Sequence, residues 1–188
     1  VLDMFKTMEE GGIRSVKTCW LPCCTRQYGV ARSWKSCWYA KPKQVARVLA
    51  VDFHGSRFDD LTNGERTFKR LCAGLKSSDV TNISFANAGL HNRHVRHLAG
   101  YIRGAKTDVA RLDLSSNIIT DSTNVGYPFA KYDNDLSGII SLCDAMHGLK
   151  HPIELDLSKC ALSAHGADAV VKAIEAGAAV HCLVLDMN

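Results

Sequence analysis

The sequence predicts an α/β fold in which one unit of strand, turn, helix and turn repeats along the chain. Two observations support this prediction: five segments share one spacing of apolar residues, and the apolar period changes from two to about 3.6 between them. The five segments are residues 48–58, 80–90, 109–119, 151–162 and 180–188. A single unit cannot bury the apolar faces of both its strand and its helix, so neighbouring units must stack and share a core.

Each segment carries two apolar residues separated by one variable residue, which is the alternation expected of a short strand with one buried face. The first members of successive pairs are 32, 29, 43 and 28 residues apart, which sets the length of one unit at 28 or 29 residues. The predicted buried pairs are Val51 and Phe53, Ile83 and Phe85, Leu112 and Leu114, Leu155 and Leu157, and Leu183 and Leu185.

Between the strands, apolar residues lie three or four positions apart, which places them on one face of a helix. The sequence therefore predicts four helices, each of which follows a strand. The four apolar sets are Phe68, Leu71, Cys72 and Leu75; Val95, Leu98 and Ile102; Ile139, Leu142, Cys143 and Met146; and Ala167, Val170, Val171 and Ile174.

A small or polar residue follows each strand, at the point where the chain bends toward the helix. Backbone groups turn inward there, and an asparagine side chain can both donate and accept the hydrogen bonds that they need. Asn117 and Asn188 occupy this position, whereas Ser56, Ala88 and Cys160 replace asparagine in the other units.

The strings LDLSSNIITDS and ELDLSKCALSAHGADAVVKAIEAG, at this spacing, resemble leucine-rich repeats of the ribonuclease-inhibitor-like class. The resemblance covers roughly residues 45–188, is strongest for the units that begin at Val109 and His151, and is weakened by Ser56 and Ala88. It implies a curved solenoid with a parallel sheet on the concave side and helices on the convex side. About four and a half such units fit within residues 48–188.

The spacing of 43 exceeds one repeat by 15 residues, which predicts an inserted loop near residues 120–137. Glycine, proline and the acidic string DND mark this segment as a loop. Loops on a rigid scaffold often carry recognition, so Tyr127, Phe129 and Tyr132 are candidate binding residues. In the alternative interpretation, these rings attach the loop to the scaffold.

The variable strand positions would line the concave surface and form an acidic strip that attracts a basic partner. Alternatively, Asp113 and Asp156 simply belong to LDLS strings, which are common in this repeat class. The candidate binding residues of this surface are Asp52, His54, Arg111, Asp113, Glu154 and Asp156.

Residues 1–47 fit the repeat poorly and are predicted to form an irregular cap or docking arm. They hold nine Lys and Arg against three Asp and Glu, a net charge of +6, whereas residues 48–188 have a net charge of −2. A cap is expected because the terminal unit of a repeat stack would otherwise expose its apolar face. Since Trp20, Trp34 and Trp38 lie among basic residues, RNA binding through residues 14–47 is the alternative.

The eight cysteines raise the question of a metal site. Four of them form the pattern C-x3-C-C-x12-C, which supplies only one of the two ligand pairs that structural zinc sites use, so metal binding by Cys19, Cys23, Cys24 and Cys37 stays open. The other four fall inside apolar patterns and are expected to be buried. These are Cys72, Cys143, Cys160 and Cys182.

The histidine-rich string HNRHVRH, residues 91–97, is expected to form a solvated helix face, because its two arginines would repel a cation. No phosphate-binding glycine loop, HExxH, GxSxG or kinase string occurs in the sequence. We therefore predict no enzymatic activity and no cofactor, and no metal centre apart from the open question of the cysteine cluster.

The function predicted from the sequence is a non-catalytic scaffold for protein–protein interaction, as a structural or assembly subunit of a larger complex. The alternatives are an RNA-associated ribonucleoprotein subunit and the sensor portion of a larger regulatory protein. Because the chain has neither an 18-residue apolar run nor a signal-like start, we expect an intracellular, cytoplasmic location, or an organelle if a targeting segment was removed.

Overall fold

The computed structural model describes residues 50–59 and 63–188. The predicted cap or docking arm, residues 1–47, lies outside the described residues, and so does the cysteine cluster within it. The described strands are β1 (Ala50–Asp52), β2 (Asn82–Ser84), β3 (Arg111–Asp113), β4 (Ile153–Asp156) and β5 (Val180–Val184). The described helices are α1 (Gly64–Leu75), α2 (Asn92–Gly104), α3 (Ser137–Met146) and α4 (Ala164–Glu175).

All five strands pair in parallel, and their order in the sheet is their order in the sequence. Equivalent residues of successive units lie side by side: Val51 pairs with Ile83, Ile83 with Leu112, and Leu112 with Leu155. The register shifts once, between Ile153 and Glu154, where β5 joins β4. The predicted α/β fold with a parallel sheet is therefore confirmed.

One face of the sheet packs against the helices, and the predicted strand pairs form this interface. The pairs of the first four strands are at most 3% exposed, whereas Leu183 and Leu185 are half-buried. Phenylalanine dominates the first two units, where Phe53 stacks on Phe85 with ring centroids 4.9 Å apart. Leucine replaces phenylalanine in the later units, so the core changes from aromatic to aliphatic along the stack.

The apolar sets of the first three helices are buried as predicted, whereas in the α4 set only Val170 is buried and Ala167 and Ile174 are half-buried. Val171 is 42% exposed, because the adjacent Val170 already faces the sheet and a helix turns by about 100° per residue. Cys182 is a second error: it is exposed, because it alternates with the half-buried Leu183 along β5. Cys72, Cys143 and Cys160 are buried as expected.

The predicted role of asparagine after the strand is confirmed at Asn117. Its side-chain oxygen accepts hydrogen bonds from the backbone N–H groups of Ala88 (3.0 Å) and Leu90 (2.9 Å). Its side-chain nitrogen donates to the carbonyl groups of Phe85 (2.9 Å) and Leu114 (2.8 Å). One buried amide thus joins two successive units.

Asn188 makes the equivalent hydrogen bonds between the fourth and fifth units. Its side-chain oxygen accepts from the N–H groups of Cys160 (2.7 Å) and Leu162 (3.2 Å). Cys160 occupies the asparagine position between these two residues, and its thiol donates to the Leu114 carbonyl at 3.3 Å. Burial raises the pKa of the Cys160 thiol to about 12, so the sulfur keeps the proton that it donates.

Candidate protein-binding surface

The sheet face that turns away from the helices carries the candidate strand residues, and we call it the outer sheet face. Parallel register places Asp113 directly beside Asp156, and Ser84 separates Asp113 from Asp52. Arg111 lies beside Glu154 in the preceding row. The structure therefore brings the strand candidates together on one face.

The aspartates of this face have a local structural role as well as a charge. Each accepts a hydrogen bond at 2.9 Å from the backbone N–H two residues later: Asp52 from His54, Asp113 from Ser115, and Asp156 from Ser158. Such side-chain turns replace a backbone turn at the end of the strand. This contact gives a physical reason for aspartate at a repeated position of the LDLS strings.

The acidic strip is interrupted by Arg111, whose guanidinium lies 3.5 Å from the Glu154 carboxylate. Both side chains are partly exposed, so the pair is solvated and salt-sensitive. A shallow depression of about 260 Å³ lies beside this pair over β1, β2 and β3. Its lining residues are Ala50, Val51, Asp52, Asn82, Ile83, Ser84, Arg111 and Asp113.

The second candidate surface is the insertion loop, residues 121–136, between β3 and α3. Its two arms meet at an antiparallel bridge between Thr123 and Lys131, with N–H to carbonyl distances of 2.8 and 2.9 Å. Gly126 lies at the tip with φ +83°, a left-handed conformation that glycine adopts without steric cost. The loop therefore has a defined backbone.

Two aspartates fix the end of this loop to the helices that follow it. The Asp133 carboxylate accepts hydrogen bonds from the N–H groups of Ser163 (3.1 Å) and Gly166 (2.9 Å), at the start of α4. Asp135 accepts from the Ser137 N–H at the start of α3 (2.8 Å). Hydrogen bonds from Ser137 are the largest cause that lowers the pKa of Asp135.

A third aspartate fixes the beginning of the loop. Asp121 accepts from the Asn92 N–H at the start of α2, at 3.2 Å, and lies 3.3 Å from the His91 ring nitrogen. Carboxylates are favourable at helix N-termini because the first N–H groups lack helical partners and the helix dipole is positive there. The loop is thus held at the starts of three successive helices.

The three candidate aromatic residues of the loop do not contribute to the buried core. Phe129 is 83% exposed, Tyr127 is 72% exposed and Tyr132 is 44% exposed. The aspartates hold the loop, and the rings project from it. The loop therefore presents apolar and hydrogen-bonding groups on a backbone that is already fixed.

The expectation that residues 91–97 form a solvated helix face is wrong for His94, which is fully buried. Its Nδ1 accepts a hydrogen bond from the His91 N–H at 2.9 Å, so His94 caps the start of α2 in place of the usual Glu or Gln. Its ring meets Phe68 edge to face, with centroids 5.2 Å apart. Burial is the largest cause that lowers the pKa of His94, to about 4.

His91, Arg93 and His97 of the same string are partly exposed, and each lies beside a carboxylate. The Glu65 carboxylate lies 3.0 Å from the His97 ring nitrogen and 3.6 Å from the Arg93 guanidinium. The hydrogen bond to His97 is the largest cause that lowers the pKa of Glu65. Within residues 50–59 and 63–188, no group of three or more His, Cys, Asp or Glu side chains is arranged to hold a metal ion.

The sequence prediction found the strand aspartates and the loop aromatics but missed the groups that organise them. The DND string marks a loop but also contains a helix-start signal, because Asp135 lies two residues before Ser137. His94 carried no comparable signal, because its role depends on Phe68 in another unit. For the part of the chain that the structure describes, no helix combines the length and apolar character needed to cross a bilayer.

Solved structures that resemble this fold include those of leiomodin-1 and a tropomodulin. The structure of leiomodin-1 actin-binding site 2 superposes with a TM-score of 0.53 at 16% identity, covering 73% of this chain and 70% of that one. The tropomodulin C-terminal domain from Caenorhabditis elegans gives a TM-score of 0.53 at 13% identity, covering 73% of this chain and 72% of that one. The fold is leucine-rich-repeat-like. No protein-family model and no curated protein matches the chain.

Proposed function

We propose that this chain is a non-catalytic protein-interaction module that binds its partner through the insertion loop and the outer sheet face. One observation carries the proposal: Tyr127 and Phe129 are 72% and 83% exposed on a loop that is fixed at three helix starts. Large exposed apolar side chains on an ordered scaffold are typical of binding sites.

The fixed backbone matters for affinity. Ordering a loop during association lowers the free energy gained on binding, and a loop that is already ordered avoids that cost. Aromatic side chains supply much of the binding energy in protein interfaces, since they bury large areas with few rotatable bonds. Tyr127, Phe129 and Tyr132 would form the apolar centre of the contact.

The outer sheet face would add electrostatic selection. Asp113 and Asp156 lie side by side with their carboxylates held by the following turns, which favours a partner with a basic segment. We infer a structural or assembly role within a complex for a module of this kind.

We also propose a finer structural assignment. Residues 48–188 would form a curved solenoid of the ribonuclease-inhibitor-like class, and residues 1–47 would form a cap or arm. The protein would be intracellular.

Filamentous actin is the first partner to test, because one structure with the same fold is an actin-binding site. The experiment is co-sedimentation of the full chain with actin filaments, together with affinity purification and mass spectrometry for other partners. The test variant is Tyr127→Ser with Phe129→Ser. The control is Ile140→Ser with Val171→Ser, which removes two exposed apolar side chains from α3 and α4 instead.

We expect the loop variant to bind the captured partner at least about tenfold more weakly than the original chain. The control variant should keep the original affinity. Asp113→Asn with Asp156→Asn tests the sheet face, since asparagine can still accept the turn hydrogen bond but removes the charge. If the partner binds the loop variant as tightly as the original chain, the proposed surface is wrong. If the chain is instead an RNA-binding subunit, it should bind RNA with an affinity that falls as salt is raised. Substitution of Lys35, Lys41 and Lys43 by glutamine should then abolish that binding.

A further inference from the structure

The charges of the repeat region are divided along the chain. Residues 63–108 hold eight Lys and Arg against three Asp and Glu, for a net charge of +5. Residues 109–188 hold five against ten, for a net charge of −5. Two adjacent helices, α1 and α2, therefore lie in a strongly basic region, whereas α3 and α4 lie in an acidic one.

The basic side chains of α1 and α2 project away from the sheet and form what we call the basic helix face. Its exposed members are Arg66 and Lys69 on α1, Lys76 directly after α1, and Arg96 and Arg103 on α2. The two helices are close neighbours: a Cβ atom placed on Gly104 of α2 would lie 3.2 Å from the Lys76 ammonium. The two basic rows thus belong to one continuous surface.

The nearby carboxylates are engaged with other cations. Glu65 lies beside Arg93 and His97, and Asp79 lies 3.1 Å from the Lys106 ammonium. Arg103 donates to the neutral Ser141 carbonyl at 3.0 Å, and Arg96 acts electrostatically on Asp135. The positive charge of this face is therefore only partly balanced by groups of the described chain.

The start of α2 carries cations but no acidic residue of its own. Its first turn contains no acid, and Arg93 and Arg96 lie near its positive end, where the helix dipole disfavours cations. The carboxylates that offset this arrangement come from other elements. Asp121 accepts from the Asn92 N–H. Glu65 lies beside Arg93, and Asp135 lies in the field of Arg96. The sequence of α2 itself therefore supplies only positive charge to this face.

The shape of the face limits its ligand. Small residues lie between the basic side chains, and a Cβ atom placed on Gly100 would meet nothing within 4 Å. Among the described residues, no large apolar side chain is exposed on α1 or α2. The face thus lacks the aromatic platforms that bind single-stranded bases and the apolar groups that insert into a bilayer.

We propose that the basic helix face binds a short acidic segment of a partner protein. Guanidinium and ammonium groups pair with carboxylates, and the glycine floor admits an extended backbone. A helix of 12 residues such as α1 is about 18 Å long, which matches five or six extended residues.

The test uses the full chain and a fluorescent peptide of about eight Glu and Asp residues, with binding followed by anisotropy at increasing salt. The test variant is Arg66→Gln, Lys69→Gln and Lys76→Gln. The control variant is Lys131→Gln, Lys150→Gln and Lys159→Gln, which removes the same charge from the acidic half. We expect the affinity to fall about tenfold in the test variant and less than about twofold in the control.

Gly100→Glu provides an independent test, since the open space around Gly100 accommodates the side chain and the new charge repels the peptide. The circular dichroism spectrum of each variant is compared with that of the original chain to test that the variant is folded. The proposal is overturned if both triple variants weaken binding equally, or if the test variant leaves binding unchanged because the peptide binds elsewhere on the chain. It is also overturned if duplex RNA binds more tightly than the peptide and is lost with the same three residues, or if sedimentation shows that the face binds a second copy of this chain.

Discussion

The strand turns and the insertion loop are both irregular backbone, but different chemistry holds them. At the strand turns, the neutral amide of Asn117 satisfies four backbone groups inside the core. In the loop, Asp121, Asp133 and Asp135 reach the helix starts near the surface. The turns are therefore part of the cooperative fold, whereas the loop can be loosened without unfolding the body.

The largest expected effect is on the turns. Asn117→Ala removes the side-chain partner of the N–H groups of Ala88 and Leu90 and of the Phe85 carbonyl, while the Leu114 carbonyl keeps the Cys160 thiol. We expect it to lower the free energy of unfolding by about 3–4 kcal/mol, measured by urea denaturation. The exposed Asn82→Ala is the matched control and should change stability by less than about 0.5 kcal/mol. A small effect at Asn117 would mean that the turns do not depend on this amide.

The next largest effect is a loss of folding stability at acidic pH, and it arises at His94 in the first turn of α2, the helix whose start binds Asp121 of the loop. The pKa of His94 is lowered to about 4 in the folded chain, so the unfolded chain takes up a proton first as pH falls below about 6.5. Full stability is therefore present above that pH, and roughly 3 kcal/mol is lost by pH 4.

His94→Gln should flatten this pH dependence, because glutamine can accept the same capping hydrogen bond without a proton to gain. The exposed His165→Gln is the control and should leave the pH dependence as it was. Urea denaturation between pH 7.5 and pH 4 measures both. An unchanged slope in the His94 variant would contradict the assignment.

A smaller effect is expected at the loop anchor. Asp133→Asn keeps a side-chain oxygen and tolerates the left-handed backbone at this residue, φ +53°, but removes the charge at the start of α4. We expect a loss of about 1 kcal/mol and faster chymotrypsin cleavage after Phe129. Asp168→Asn, within α4, should not change the cleavage rate.

The smallest effect is expected at the loop tip. Phe129→Ser should change the free energy of unfolding by less than about 0.5 kcal/mol, since the ring is 83% exposed. Phe85→Ala, in the core, should cost about 3–5 kcal/mol in the same thermal or urea measurement. Destabilisation of more than about 1 kcal/mol by Phe129→Ser would show that the ring attaches the loop to the body.

The repeat pattern predicted the strands and helices because both depend on the local period of apolar residues. It also placed the loop, because an insertion changes the spacing between equivalent residues from 28 to 43. The errors arose where two elements meet. Val171 has the right residue type and spacing to be buried, but Val170 occupies the face toward the sheet.

The sequence by itself determined the strand and helix of each unit, the asparagine at the turn, and the division of charge between residues 63–108 and 109–188. These features depend on residue type and period within one unit. Only the tertiary structure decided that His94 is buried against Phe68, and that Asp121, Asp133 and Asp135 reach three separate helices. Those contacts join residues up to 33 positions apart, because the fold brings the loop and the helix starts to the same edge.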